Sequence, residues 1–106
     1  MRPVTERVFH VLLTRTGPQW KVGRPVEEQA RWVEHAVYMD GLVSAGYLLL
    51  GGPLSDETRV VLAIRAASAE YVRRLLHRDP WGTSHLVIRD LDEWTIRLGG
   101  DICHDR

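Results

Sequence analysis

The chain has 106 residues, of which 44% are hydrophobic and 26% charged, and its fourteen basic and fourteen acidic side chains give a formal net charge of zero. That length supports one domain with a modest core. The neutral balance gives no general pull toward nucleic acid or an anionic membrane surface, and no apolar run approaches the roughly 20 residues that span a bilayer.

Residues 1–6 read as a short arm. Glu6 and His10 interrupt any signal-peptide pattern there, and the single cysteine, Cys103, excludes an intramolecular disulfide framework. Both features point to the cytoplasm. Val8–Leu13 is an apolar run with β-branched and aromatic members and predicts a first strand, in which His10 shares a face with Val8 and Leu12. Thr14–Arg24, with two glycines and Pro18, is a loop. It carries Trp20, a side chain that is costly on a loop unless it covers a core edge, a pocket or a partner.

Pro25 suits the first turn of a helix, with Glu27 and Glu28 complementing its dipole. On a wheel from Pro25, the residues Val26, Ala30, Val33, Ala36 and Val37 form the apolar side, extended by Trp32, Met39 and Val43. His35 and Leu42 fall on the border of that arc, and Asp40 falls toward it without an explanation from pattern. Gly46 predicts the helix stop. Tyr47–Leu50 is a second strand running into Gly51-Gly52-Pro53, and Arg59–Arg65 a third, joined to it as a hairpin by the turn Leu54–Thr58.

Ser68 predicts the cap of a second helix, Ala69–His77, whose C-terminal end is loaded with cations and stopped by Asp79-Pro80-Trp81-Gly82. His85–Leu98 reads as one long, bent strand, and residues 99–106 as a polar tail after a single domain over 1–98. The order is βαββαβ. This predicts an α+β, ferredoxin-like unit: an antiparallel four-stranded sheet with both helices on one face. Its other face needs cover, and a second copy packed sheet to sheet, a homodimer, is the expected solution.

Taken singly, the polar residues decide little. A helical histidine is ordinarily a surface or core-edge residue, and an aspartate before proline suits a turn. Together they form an ordered pattern: His35, then Gly46, Leu48-Leu49 and Gly52-Pro53, and later Asp79-Pro80-Trp81 between the second helix and the last strand. This pattern, over roughly residues 7–97, resembles the YCII-related family. The resemblance implies a dimeric α+β barrel of ferredoxin-like units and a His–Asp pair at the active site, His35 and Asp79 here. The chain departs from the family where a glycine is usual before the last strand; His85 stands there, so either the backbone is less constrained or a second imidazole enters the pocket.

The chemistry of such a pair is readable from the residues. A carboxylate that accepts from one imidazole nitrogen fixes the tautomer and leaves the other nitrogen to move a proton. With no serine or cysteine nucleophile in the pattern, proton-transfer or lyase chemistry on a small cyclic or aromatic molecule is expected rather than acyl transfer. Gly52-Pro53, Trp81, His85 and His10 are the expected substrate-binding residues. The Gly52 backbone can approach a ligand closely, and Trp81, with Trp20, can wall a planar one. No cofactor is expected, and no metal, because His10, His35 and His85 lack the spacing of a known metal motif. Two other readings of the scaffold are a non-catalytic ligand-binding or interaction domain, and a cofactor-free oxygenase or isomerase.

Overall fold

The computed structural model describes residues 7–99. The expected arm over 1–6, and the tail from residue 100 onward with Cys103, lie outside the described residues. The elements in order are β1 (Arg7–Thr14), α1 (Trp32–Ser44), β2 (Leu48–Pro53), β3 (Arg59–Ala66), α2 (Ala69–Arg78) and β4 (Val87–Glu93). The strands form one sheet in the order β2-β3-β1-β4, every pair antiparallel. This is an α+β architecture compatible with a ferredoxin-like fold. Among the described residues, no helix is long and apolar enough to cross a membrane.

Period-two alternation builds the core. Along β1 the side chains of Phe9, Val11 and Leu13 are buried, and cross-strand pairing aligns them with Ile64, Leu62 and Val60 of β3. Leu42 of α1 and Val72, Leu75 and Leu76 of α2 close over this face, so both helices lie on one side of the sheet. Burying each such side chain stabilises the fold by about 1.5–3 kcal/mol. The α2 helix starts where Ser68 Oγ accepts from the Tyr71 N–H at 3.1 Å, the expected cap. Val8, His10 and Leu12 alternate onto the opposite face, which no described element covers.

Three sequence expectations change. The first helix does not begin at Pro25: the chain makes only a 3-10 turn at Val26–Glu28, and Arg31 takes a left-handed conformation at φ 63° before α1 starts. Buried Gln29 is responsible. Its amide donates to the carbonyls of Lys21 (2.8 Å) and Arg24 (3.1 Å) and accepts from the Lys21 N–H (2.9 Å), tying the segment to the preceding loop.

The buried face of α1 is also not the expected one. Val33, Val37 and Val43 are 67%, 65% and 54% exposed, while Tyr38, Met39 and Leu42 pack on the core. Val26 and Ala30, which centred the predicted arc, are not in the helix, and the Tyr38 hydroxyl donating to the Leu75 carbonyl at 2.7 Å sets its rotation instead. Asp40 then faces solvent, which removes the puzzle of its position.

Finally, β4 runs only over Val87–Glu93, not His85–Leu98. The Trp81 carbonyl accepts from the N–H groups of His85 and Leu86, both at 3.1 Å, so this stretch is a turn rather than a strand. The bend expected in this strand is a register shift opposite Leu12 and Leu13.

Candidate functional site

Asp79 is the C-cap of α2, where an anion opposes the helix dipole, and it is only 4% exposed. Two donors compensate it. The Trp81 N–H donates to Oδ1 at 3.0 Å, forming the turn that an aspartate before proline favours. His35 Nδ1, from the first turns of α1, lies 2.9 Å from Oδ1 and 2.8 Å from Oδ2. The two residues that sequence reading singled out are therefore directly hydrogen-bonded. An ionised carboxylate only accepts, so Nδ1 carries the hydrogen and Nε2 presents a lone pair in the neutral ring. Nε2 has no protein partner among the described residues and is not buried.

Around this pair lies an aromatic stack. The His35 ring lies on Trp81 with centroids 4.0 Å apart and planes 8° from parallel, and His85 lies on Trp81 at 4.7 Å and 14°. Trp81 is 1% exposed and donates its indole N–H to the Ala30 carbonyl at 2.8 Å, so the unwound segment before α1 anchors the stack. Trp32 leans on both His35 (5.9 Å) and Trp81 (5.8 Å). Sequence reading used Trp32 only as part of an apolar stripe; its place one turn before His35 was the signal that could have found it.

Two glycines make the close approaches possible. At Gly82 a Cβ would fall 3.0 Å from the carbonyl oxygens of both Asp79 and His77, beneath the end of α2. At Gly17 it would fall 2.6 Å from backbone atoms of Ser84 and His85. The loop after β1 thus lies directly on that turn, with the Gly17 N–H donating to the His85 carbonyl (2.9 Å) and the Gln19 N–H to the Ser84 carbonyl (2.7 Å). It seats Trp20 edge-on against Trp81 at 5.6 Å and His85 at 6.1 Å. Trp20 covers the flank of the stack of its own chain.

His85 occupies a different position from that expected of a substrate-binding imidazole. It is fully buried beneath Trp20 and behind Trp81. Its Nδ1 lies 2.7 Å from Ser84 Oγ, which is in turn 3.2 Å from the Pro80 carbonyl, and its Nε2 has no partner. Burial above all, and then the charge of a protonated His35, push the His85 pKa below its ordinary value of 6.5; Asp79 acts in the opposite sense and Arg31 in the same sense. His85 supports Trp81 from behind, shut off from solvent.

The remaining expected residues lie elsewhere. His10 is on the sheet face away from the helices, with Nδ1 3.7 Å from Asp90 and its ring edge-on to Trp94 at 5.6 Å. Gly52 pairs with Val61, whose other neighbour is Leu12, so it too belongs to that opposite face, and a Cβ there would meet nothing within 4 Å. Pro53 is exposed at the end of the edge strand β2. The structure brings together His35, Asp79, Trp81 and His85 and leaves His10, Gly52 and Pro53 outside. Among the described residues, no group of three or more histidine, cysteine or acidic side chains is placed to hold a metal ion.

Compared with known proteins, the chain matches no family model, no curated protein and no solved structure.

Proposed function

We propose that the chain is a small enzyme of the YCII-related kind, in which His35 acts as general acid/base through Nε2 and Asp79 orients it. The observation that carries this reading is the combination at His35. Nδ1 is held by a buried carboxylate at 2.8–2.9 Å while Nε2 is free and accessible. A ring fixed in one tautomer, 14% exposed and with a nitrogen left unpartnered among the described residues, is suited to take a proton from a small molecule and return it. Trp32, partly exposed beside the ring, favours a cyclic or aromatic substrate, whereas Trp81, expected to bind it, is buried with both faces taken by the imidazoles.

The test is to incubate the protein in deuterated water with a panel of small lactones, enols and cyclic hydroxy acids and follow carbon-bound deuterium and turnover by NMR. His35→Ala should abolish any activity found, and Asp79→Asn should lower it by about 10²–10⁴-fold, the usual worth of a positioned acid/base. Turnover that survives both substitutions defeats the reading. Binding of panel members without turnover by the wild type assigns the scaffold to ligand binding instead.

In the same proposal a second copy covers the open sheet face, giving the dimeric barrel, and the single cysteine suits a reducing, cytoplasmic compartment. The support for the second copy is the row of apolar groups on that face: Leu12 and Val61, with Leu50 46% and Trp94 40% exposed. Sedimentation should give a dimer that Leu50→Glu dissociates; a wild-type monomer removes this part of the proposal.

A further inference from the structure

A cavity lies beside Trp20. The loop after β1 and the β2–β3 turn enclose a cleft of about 510 Å³, lined by Arg15, Trp20, Arg24, Pro25, Glu27 and Glu57 among others. That volume is within the range of small-molecule sites. Its chemistry centres on Arg15. This side chain is only 13% exposed, and its guanidinium carbon lies 5.5 Å from the centroid of the Trp20 ring. Nη1 donates to the Glu57 carbonyl at 2.8 Å and reaches the Glu57 carboxylate at 3.4 Å. The other edge of the guanidinium, Nε with Nη2, has no protein partner and is not buried.

We infer that this cleft binds a planar ring bearing a carboxylate. The Nε–Nη2 edge presents two parallel N–H donors at the spacing of the two oxygens of one carboxylate, the arrangement that gives arginine its preference for such groups. The arginine is held in place before a ligand arrives, by the Glu57 carbonyl and the Trp20 face, so little side-chain freedom is lost on binding. Trp20 supplies the flat wall for the ring. Glu57 is 73% exposed and its carboxylate makes only the longer contact with Arg15, so its charge opposes the ligand while its backbone carbonyl supports the site. Trp20 also touches Trp81 and His85, so this cleft and the His35 pair share a wall. The inference does not require His35 to be catalytic.

Benzoate is the probe, followed through the indole N–H signal of Trp20 in an ¹⁵N-labelled sample, assigned with Trp20→Phe. Saturable benzoate shifts at Trp20 are expected, with no response to benzyl alcohol at the same concentration. Arg15→Lys keeps the charge but removes the fork, and should weaken binding about tenfold or more. Glu57→Gln leaves the carbonyl contact intact and should tighten binding, which keeps the test decisive if Arg15→Lys disturbs the turn. His35→Ala should bind benzoate as the wild type does, which separates this inference from the catalytic proposal. Equal responses to benzoate and benzyl alcohol overturn the inference. So does weaker binding in Glu57→Gln, or no Trp20 shift at concentrations on the order of 10 mM, where even a weak site would respond.

Discussion

The two faces of the sheet each carry a histidine, an aspartate and a tryptophan in contact. On the helix side His35 lies 2.8 Å from an Asp79 whose side chain is 1% exposed, and stacks flat on Trp81. On the open side His10 lies 3.7 Å from an Asp90 whose side chain is 60% exposed, and meets Trp94 at 75°. The residue types are the same and the consequences are not. A surface pair at that distance is screened by water and is worth little. A buried carboxylate has no water to fall back on, so its partners must stay in place, and that requirement fixes the orientation of His35.

The largest expected effect comes from removing the plate between the two imidazoles. Trp81→Ala deletes a fully buried indole, both stacks and the bond to Ala30, and should destabilise the fold by about 3–5 kcal/mol in denaturant titration. Trp94→Ala on the open face should cost far less, and equal losses would erase the contrast between the two trios.

Next are the acids. Asp79→Asn keeps the shape but loses the charge that His35 answers, and should cost about 1–3 kcal/mol. Asp90→Asn should stay within about 0.5 kcal/mol. If the two substitutions cost the same, burial is not what separates the pairs.

A smaller effect is expected from pH. His85 has its folded pKa below the ordinary 6.5, so the unfolded chain binds the proton more readily. Its contribution is complete above about 6.5, the unfolded pKa, and is lost progressively as pH falls below that value toward the folded pKa. His85→Gln should flatten this part of the pH–stability curve. A wild-type curve with no slope there contradicts the burial of an uncharged His85.

The smallest effect belongs to an acid at the surface of the β2–β3 turn. Asp56 accepts from the Arg59 N–H, the Arg59 side chain and the Thr58 N–H, and these hydrogen bonds lower its pKa from 3.8 to about 2. The stability it lends is present above 3.8 and disappears as pH falls through about 2. Direct NMR titration should find that value, and Asp56→Ala should leave the His35 ring signals unmoved.

Much of the site was legible before any coordinates. The alternation Phe9, Val11, Leu13 dictated a half-buried strand, Ser68 dictated the start of α2, and Asp79-Pro80 dictated its end, because each depends only on the chemistry of a few consecutive residues. Gly46, at φ 88°, closes α1 as expected of a residue without a Cβ. The pairing of His35 with Asp79 was expected only through the resemblance to the YCII-related family, and the structure joins the two across a separation of 44 residues.

The tertiary structure alone decided the rest. Which face of α1 is buried depended on Gln29 breaking the helix before Trp32 and on Tyr38 reaching Leu75, contacts that a helical wheel cannot contain. His85 was legible as a departure, but whether it faced a ligand or the core depended on the loop of Gly17 and Trp20 closing over it. Gly52, His10 and His35 could be assigned to one cavity on paper because sequence order carries no sheet face across a crossover. Strand register, set by long-range pairing, put the first two on the side away from the helices.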